Sequence, residues 1–329
     1  MTKRLAKLVV LGLDGGGSRT VCIVAGEKGR ELGRALSGSS NHQSVGVEAA
    51  KRAIAEAVTG AREAAGDPPL AAACLGMAGL DRGEDERVLR GLLTPLFGGA
   101  RLRLVHDAEI ALVGGTGGRK EGVIVIAGTG SIAVGFNGAG RAVRSGGWGH
   151  LLGDEGSGYQ IAQRGLNAAT RARDGRGATT SLVESLPEAI GVASVEDLAS
   201  RIYLEGWPVG QIAALAPLVL AAAAEGDAVA RGIVANAGHE LSRAAVAVIR
   251  ALKIDDTRFE VVLSGGIFGA SLVLVEAVRE EITAFAPDAD VHLPRHEPAI
   301  GALWLALEAA RDPEWGESGP SYAPLVIGP

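Results

Sequence analysis

Apolar residues recur along this chain in short runs that end on glycine. Residues 8–13 form one such run, closed by Asp14 and Gly15-Gly16-Gly17-Ser18, and a second run follows at residues 21–25. An apolar strand that enters a glycine turn and returns as a strand predicts a hairpin. Strands dominate the first 36 residues, and an alanine-rich helical pattern occupies residues 46–65. A strand at 71–76, a helix at 83–97 and a strand at 101–106 complete a first α/β pattern. The glycine-dense stretch 114–120 reads as a linker with hinge freedom. The strand theme then repeats at 122–144, with a second hairpin whose turn is Gly128-Thr129-Gly130-Ser131. Residues 159–252 are predicted helical, with breaks near 174–178, 191 and 207–208. A strand at 259–263, a helix at 272–285, a strand at 290–293 and a helix at 298–310 follow, and the proline- and glycine-rich tail from Asp312 is expected to be irregular or disordered.

These patterns predict an N-terminal α/β domain over 1–117, a second over 118–311 enlarged by a helical insertion at about 159–252, and a tail at 312–329. With 32 basic residues scattered among 38 acidic ones and a net charge of −6, no basic stripe is available for nucleic acid. Cys22 and Cys74 lie inside apolar strands, where they read as small core residues, and no C-x-x-C pattern suggests a metal site. The basic start before residues 8–13 lacks the length and cleavage site of a signal peptide. The longest apolar segment, 212–224, contains Pro217 and is too short to span a bilayer, so it reads as a buried helix. A cytoplasmic location without membrane contact is expected.

Both hairpins are candidates for phosphate binding, because glycine backbone lets N–H groups approach phosphate oxygens. Neither matches a Walker A loop or a dinucleotide fingerprint, which open helices. An ordinary tight hairpin remains the other reading. Asp14 stands at the lip of the first turn, where a magnesium ion or its water shell would sit. Asp107 ends a strand just before a helical pattern, a position suited to a reactive carboxylate and equally to a helix N-cap. The strand ending in Ser264-Gly265-Gly266 offers either a flat backbone surface for an adenine ring or a closely packed strand-helix turn. Asn41, Trp148, Asp154 and Glu155 sit near glycines and could bind sugar hydroxyls; Trp148 could equally be a core aromatic, and Asp154 and Glu155 a helix start.

Six blocks taken in order resemble a known family: Asp14-Gly15-Gly16-Gly17-Ser18, Ser40-Asn41-His42, His106-Asp107-Ala108, Gly128-Thr129-Gly130-Ser131, Gly146-Gly147-Trp148-Gly149-His150 with Gly153-Asp154-Glu155-Gly156-Ser157, and Leu263-Ser264-Gly265-Gly266-Ile267-Phe268. The order and spacing are similar to the N-acetylglucosamine kinases, in the BadF/BadG/BcrA/BcrD branch of the sugar kinase, Hsp70 and actin superfamily. The resemblance implies two actin-like (ribonuclease H-like) α/β domains with an interdomain cleft. It implies ATP and Mg2+ as cofactors, held by Asp14, Gly15, Gly16, Gly17, Ser18, Thr20, Gly128, Thr129, Gly130, Gly226, Gly265 and Gly266. It further implies an N-acetylhexosamine site made by Asn41, His42, Asp107, Ser131, Ile132, Gly147, Trp148, Gly149, His150, Leu151 and Asp154. A homodimer is expected.

Two departures from the vertebrate-type pattern fall at the sugar end: Gln43 replaces an aromatic and Ile132 an asparagine. They keep glucosamine, or another amino sugar such as N-acetylmuramic acid, open as the substrate. The expected reaction is phosphorylation of the sugar 6-hydroxyl, with Asp107 accepting its proton and Asp14 holding hydrated magnesium. A dehydratase-activating ATPase would need exposed cluster-ligating cysteines, which Cys22 and Cys74 are not positioned to be. A sugar-responsive binding protein is the non-enzymatic alternative.

Overall fold

The computed structural model describes residues 8–80, 83–137, 141–314 and 326–327. The chain runs β1 (Val9–Gly15), β2 (Thr20–Gly26), β3 (Glu31–Ser37), α1 (His42–Val45), α2 (Val47–Ala64), β4 (Ala72–Met77), α3 (Gly83–Leu93), a 3-10 turn (Thr94–Phe97), β5 (Arg101–His106) and α4 (Asp107–Thr116). It continues with β6 (Gly122–Ala127), β7 (Ser131–Phe136), β8 (Ala142–Gly146), α5 (Gly158–Arg173), α6 (Leu182–Ala189), α7 (Val195–Leu204), α8 (Val209–Ala213), α9 (Ala216–Glu225) and α10 (Ala228–Leu252). Last come β9 (Phe259–Ser264), α11 (Gly266–Ala270), α12 (Leu272–Phe285), β10 (Ala289–His292), α13 (Pro298–Arg311) and β11 (Val326–Ile327).

Two compact units result, each around its own sheet. One comprises Met1–Gly122, Asn137–Ala142 and Pro294–Val326; the other comprises Val123–Phe136, Val143–Leu293 and Ile327–Pro329. The first sheet has strand order β3-β2-β1-β4-β5 and the second β10-β9-β6-β7-β8-β11. Read from its other edge, the second sheet repeats the first: β8-β7-β6-β9-β10 corresponds to β3-β2-β1-β4-β5. In the first sheet β1 and β2 are antiparallel while β1, β4 and β5 run parallel, and in the second β6, β9 and β10 run parallel. The internal repeat expected from two glycine hairpins is therefore a repeat of sheet topology.

Side-chain alternation explains why the strands read as continuous apolar runs. Along β1, Val9, Leu11 and Leu13 enter one core with Ile54 and Val58 of α2, whereas Val10 enters another with α4 and α13. Along β4, Ala73, Leu75 and Met77 face the α2 side, and Ala72 and Cys74 face the α4 and α13 side. A strand covered on both faces has no polar side to show. Cys22 and Cys74 are buried free thiols, as their setting predicts, and burial pushes the Cys22 pKa up to about 12.

On the α4 and α13 side, glycines replace side chains at the contacts. A Cβ on Gly12 would lie 2.6 Å from the Ala299 carbonyl oxygen of α13, one on Gly76 would lie 2.3 Å from Ile110 Cδ1 of α4, and one on Gly301 would lie 2.0 Å from the Ile110 carbonyl oxygen. Thus α13 approaches the sheet and α4 at backbone distance, and Gly76 makes room for the Ile110 side chain of α4. Gly114 belongs to the same contact, since its Cβ would meet the Glu297 carbonyl oxygen at 2.7 Å.

The predicted linker is corrected by this packing. Gly114 and Gly115 are buried residues of α4, so their lack of side chains serves helix packing instead of a hinge. The apolar segment 212–224 is also not one helix: α8 ends at Ala213, and Pro217 stands in the first turn of α9, where a missing N–H costs nothing. Contacts assign α13 to the first unit, although its place in the sequence groups it with the second. Most of the tail lies outside the described residues; within them, Val326–Ile327 adds an edge strand. Among the described residues no single helix is long and apolar enough to cross a membrane.

Gly301→Ala should fail to fold stably, a loss of at least ~3 kcal/mol for an unplaceable methyl group in a backbone contact. Gly232 of α10 is the control, because nothing lies within 4 Å of its Cβ position. Gly232→Ala should gain about 0.5–1 kcal/mol from helix propensity. Urea unfolding of both variants checks the pair; a Gly301→Ala midpoint within error of wild type would contradict the packing account.

Candidate active site

In the first unit the hairpin between β1 and β2 is closed by Gly16 N–H donating to the Arg19 carbonyl at 3.1 Å. Gly17, Ser18 and Arg19 are exposed, and nothing lies within 4 Å of a Cβ on Gly17. The tip therefore presents bare backbone. Gly15 is a different case, since a Cβ there would meet Met77 Sδ at 2.7 Å and Ser40 Oγ at 2.8 Å. Thr20 begins β2. It is buried, with Oγ1 2.8 Å from both the Gly38 carbonyl and Ser40 Oγ, so its hydroxyl ties the hairpin to the following loop.

That loop carries Asn41 and His42. Asn41 caps α1 by accepting from Gln43 N–H at 3.0 Å, and Gln43 Nε2 donates to the Gly79 carbonyl at 3.0 Å. Gln43, which replaces an aromatic, is thus a tether across the end of β4.

Asp107 is the first residue of α4, and its carboxylate is not the cap. The N-cap is His106, whose Nδ1 accepts from Ala108 N–H at 3.1 Å. While that bond stands, the ring carries its proton on Nε2. Nδ1 also lies 2.8 Å from Asp107 Oδ1, so a protonated ring would exchange the cap for an ion pair. The residue missed by sequence reasoning is His106 as cap: histidine is outside the usual capping set, and only the coordinates separate it from Asp107.

In the second unit the turn between β6 and β7 is sewn to the start of α5. Gly158 N–H donates to the Gly128 carbonyl at 2.8 Å and Tyr159 N–H to the Thr129 carbonyl at 3.2 Å. Asp154, with φ +59, lies behind the turn. Its Oδ1 accepts from Ser131 N–H at 3.2 Å, and a Cβ on Gly130 would meet its Oδ2 at 2.8 Å. Ser131 Oγ donates to the Glu155 carbonyl at 2.7 Å. Burial raises the Asp154 pKa, opposed by the Ser131 N–H bond and by His150. Ile132 packs where a side chain on Gly147 would go.

The segment after β8 is exposed: Trp148 is 51% accessible and Leu151 83%. Trp148 is thus not a core aromatic. His150 stacks edge-on against Tyr159 with centroids 5.1 Å apart, and Gly147 N–H donates to the Ser131 carbonyl at 3.1 Å.

Gly265 is needed for packing, because a Cβ there would come 2.2 Å from the Ala127 carbonyl oxygen. Gly266 is open and begins α11. Gly226 ends α9 at φ +106, and next to it Asp227 caps α10 by accepting from Val229 and Ala230 N–H. Burial works against the Asp227 carboxylate, but the N–H groups of Ala230 and Ser181 and the hydroxyls of Thr180 and Ser181 hold its pKa at about 2. Gly226 therefore lies at a rigid helix junction.

Residues 11–306 match the model of the BadF/BadG/BcrA/BcrD ATPase family. The chain belongs to this family. It is 35% identical over 321 residues to an N-acetyl-D-glucosamine kinase of Dictyostelium discoideum, spanning 93% of this chain and 100% of the relative. It is also 35% identical over 299 residues to an N-acetylmuramic acid/N-acetylglucosamine kinase of Clostridium acetobutylicum, spanning 90% and 97%. Among solved structures, an N-acetylglucosamine kinase candidate from Chromobacterium violaceum superimposes with a TM-score of 0.72 at 30% identity, covering 92% of this chain and 99% of that one. The two-domain α/β architecture is the actin-like fold of sugar kinases.

Within this BadF/BadG/BcrA/BcrD member, Asp14 carries the clearest electrostatic signature. Burial pushes its pKa up to about 7, helped by the charges of Asp107 and Glu297 and opposed by Arg19. Glu297, the N-cap of α13, is held by a fork from Arg34, with Nη1 3.0 Å from Oε2 and Nη2 2.6 Å from Oε1. A cation beside Asp14 and Asp107 would relieve their repulsion, and carboxylate oxygens are the donors magnesium takes. Among the described residues no group of three His, Cys, Asp or Glu could hold a metal alone. Magnesium fits such a site by keeping waters and phosphate oxygens as its other ligands.

A raised carboxylate pKa weakens the fold as pH rises. Without ligands, stability should fall between about pH 4 and pH 7, as the unfolded chain releases the Asp14 proton before the folded one does. Asp14→Asn should remove that slope and be the more stable protein above pH 7, by on the order of a few kcal/mol. Denaturant titrations at pH 4.5, 6 and 8 check it; parallel pH curves for the two proteins would show that Asp14 is not the titrating group.

Proposed function

We propose that this protein is an ATP-dependent amino-sugar kinase acting in the cytoplasm, and that its substrate is N-acetylglucosamine, phosphorylated at the 6-hydroxyl. The names of its relatives support the sugar class. The observation that carries the chemistry is Asp107: its carboxylate is released from capping by His106 and acts electrostatically on Asp14.

In this reading the exposed backbone N–H groups of Gly17 and Ser18 bind phosphate oxygens, with Thr129 and Gly130 serving a second set. Asp107 accepts the proton of the sugar hydroxyl as its oxygen bonds to the γ-phosphorus and the bond to the β,γ-bridging oxygen breaks. Magnesium, when bound through Asp14, would neutralise the phosphates' charge. Asn41, Ser131 and Asp154 orient the sugar. Asp154 does so through the backbone it fixes, because its oxygens already engage the Gly130-Ser131 turn. Catalysis by positioning and charge stabilisation needs no covalent nucleophile.

N-acetylmuramic acid is the second sugar to test, since the Clostridium relative carries that name as well. A coupled assay with ATP across N-acetylglucosamine, N-acetylmuramic acid, glucosamine and glucose should give the highest kcat/KM for N-acetylglucosamine. Glucose as the best substrate would overturn the amino-sugar assignment.

Asp107→Asn should lower kcat on the order of 10²- to 10⁴-fold, with the KM for ATP little changed. Near-normal turnover in this variant would refute its role as base. Asp14→Ala should shift the magnesium dependence of turnover to higher concentration and leave the KM for sugar near wild type. An unshifted titration would remove Asp14 from the metal site.

A further inference from the structure

Arg144, in β8, stands two residues before the exposed glycine segment that contains Trp148. Its Nη1 donates to the Gly146 carbonyl at 2.8 Å and reaches the Gly147 carbonyl at 3.3 Å. Its guanidinium carbon also lies 4.8 Å from the centroid of the Trp148 ring. One side chain therefore holds both the backbone of the segment and its aromatic ring.

The segment needs such a hold. Gly146, Gly147 and Gly149 have φ of +78, +70 and +79, so the backbone bends through left-handed positions where glycine leaves many alternatives open. Gly147 is confined between Ile132 and Arg144, whose Nη1 would be 3.2 Å from a Cβ there. From the opposite side, Gly153 closes on Trp148, with a Cβ position 3.1 Å from Trp148 Cβ. Trp148 remains 51% accessible, and Leu151 and Leu152 are 83% and 80% accessible. An exposed indole with a cation on one face has its other surface available for the apolar face of a pyranose ring.

We propose that Arg144 is a positioning residue for sugar binding: it locks the Gly146–Gly149 bend and presents the Trp148 indole to the substrate. The proposal rests on the amino-sugar kinase reading for its ligand, but the clamp is a property of the unliganded chain. A guanidinium suits this role because its planar face lies against the indole while Nη1 of the same group bonds the backbone carbonyls.

The test pairs kinetics with fluorescence. Arg144→Met should raise the KM for N-acetylglucosamine about 10-fold, with kcat within about 2-fold and the KM for ATP unchanged, since sugar binding is weakened equally in the ground and transition states. Arg144→Lys should recover less than half of the loss. In a Trp148→Ala background, Arg144→Met should add little, because the two residues form one unit. Additive effects in that cycle, or an unchanged sugar KM, would overturn the proposal. Acrylamide quenching needs no sugar. With Trp207, Trp304 and Trp315 replaced by Phe, Arg144→Met should quench more steeply than the same protein with Arg144 intact. Equal quenching would refute the clamp even if the kinase assay succeeds. If no amino sugar is phosphorylated by wild type while quenching rises as expected, the kinase reading and the sugar-positioning role fall together, and the clamp alone stands.

Discussion

Close approach of α4 and α13 to the first sheet is the constraint on which its chemistry depends. Gly12, Gly76, Gly114 and Gly301 remove the side chains that would otherwise hold these helices a layer further away. A methyl group at any of them meets a neighbouring atom at under 3 Å, which a packed interior cannot absorb. Asp107 begins α4 and Glu297 caps α13. Both carboxylates act electrostatically on Asp14, whose strand α13 meets at backbone distance through Gly12. Burial is the main cause of the raised Asp14 pKa, and the charges of Asp107 and Glu297 add to it a repulsion that a cation would relieve.

The motif residues divide by whether their polar groups are already engaged. Thr20, Ser131, Asp154 and Asn41 have their side chains bonded within the protein, so they shape loops. The exposed tip at Gly17 and Ser18 leaves backbone available. Gly265 follows the first pattern and Gly266 the second, although they are neighbours. Residue type alone does not separate these roles, because the same glycine serves a ligand's approach or a helix's.

Most elements were legible because their signals are local. Buried strands such as β1 and β4 lack a polar side, and glycine or proline ends them. The helix pattern at 272–285 matches α12 because its residues alternate at helical spacing between two settled boundaries. Three features were not legible. The glycines at 114 and 115 look like a linker unless one knows that α13 packs on them. The assignment of α13 to the first unit depends on contacts across the length of the chain. His106 as a cap depends on a ring orientation that sequence does not encode. The first two are tertiary contacts overriding a local preference, and the third is a local bond set by a side-chain rotamer.

The duplicated topology also shows how one hairpin came to differ from the other. Asp14 precedes the first glycine turn and Ala127 precedes the second. Ala127 is buried, and its carbonyl oxygen lies 2.2 Å from where Gly265 would place a Cβ. This position in the second unit is therefore given to close packing of β9 and its turn against β6. The strand-end carboxylate occurs on one copy alone, and the second hairpin is fixed from behind by the Asp154 carboxylate on Ser131 N–H and by bonds from the start of α5.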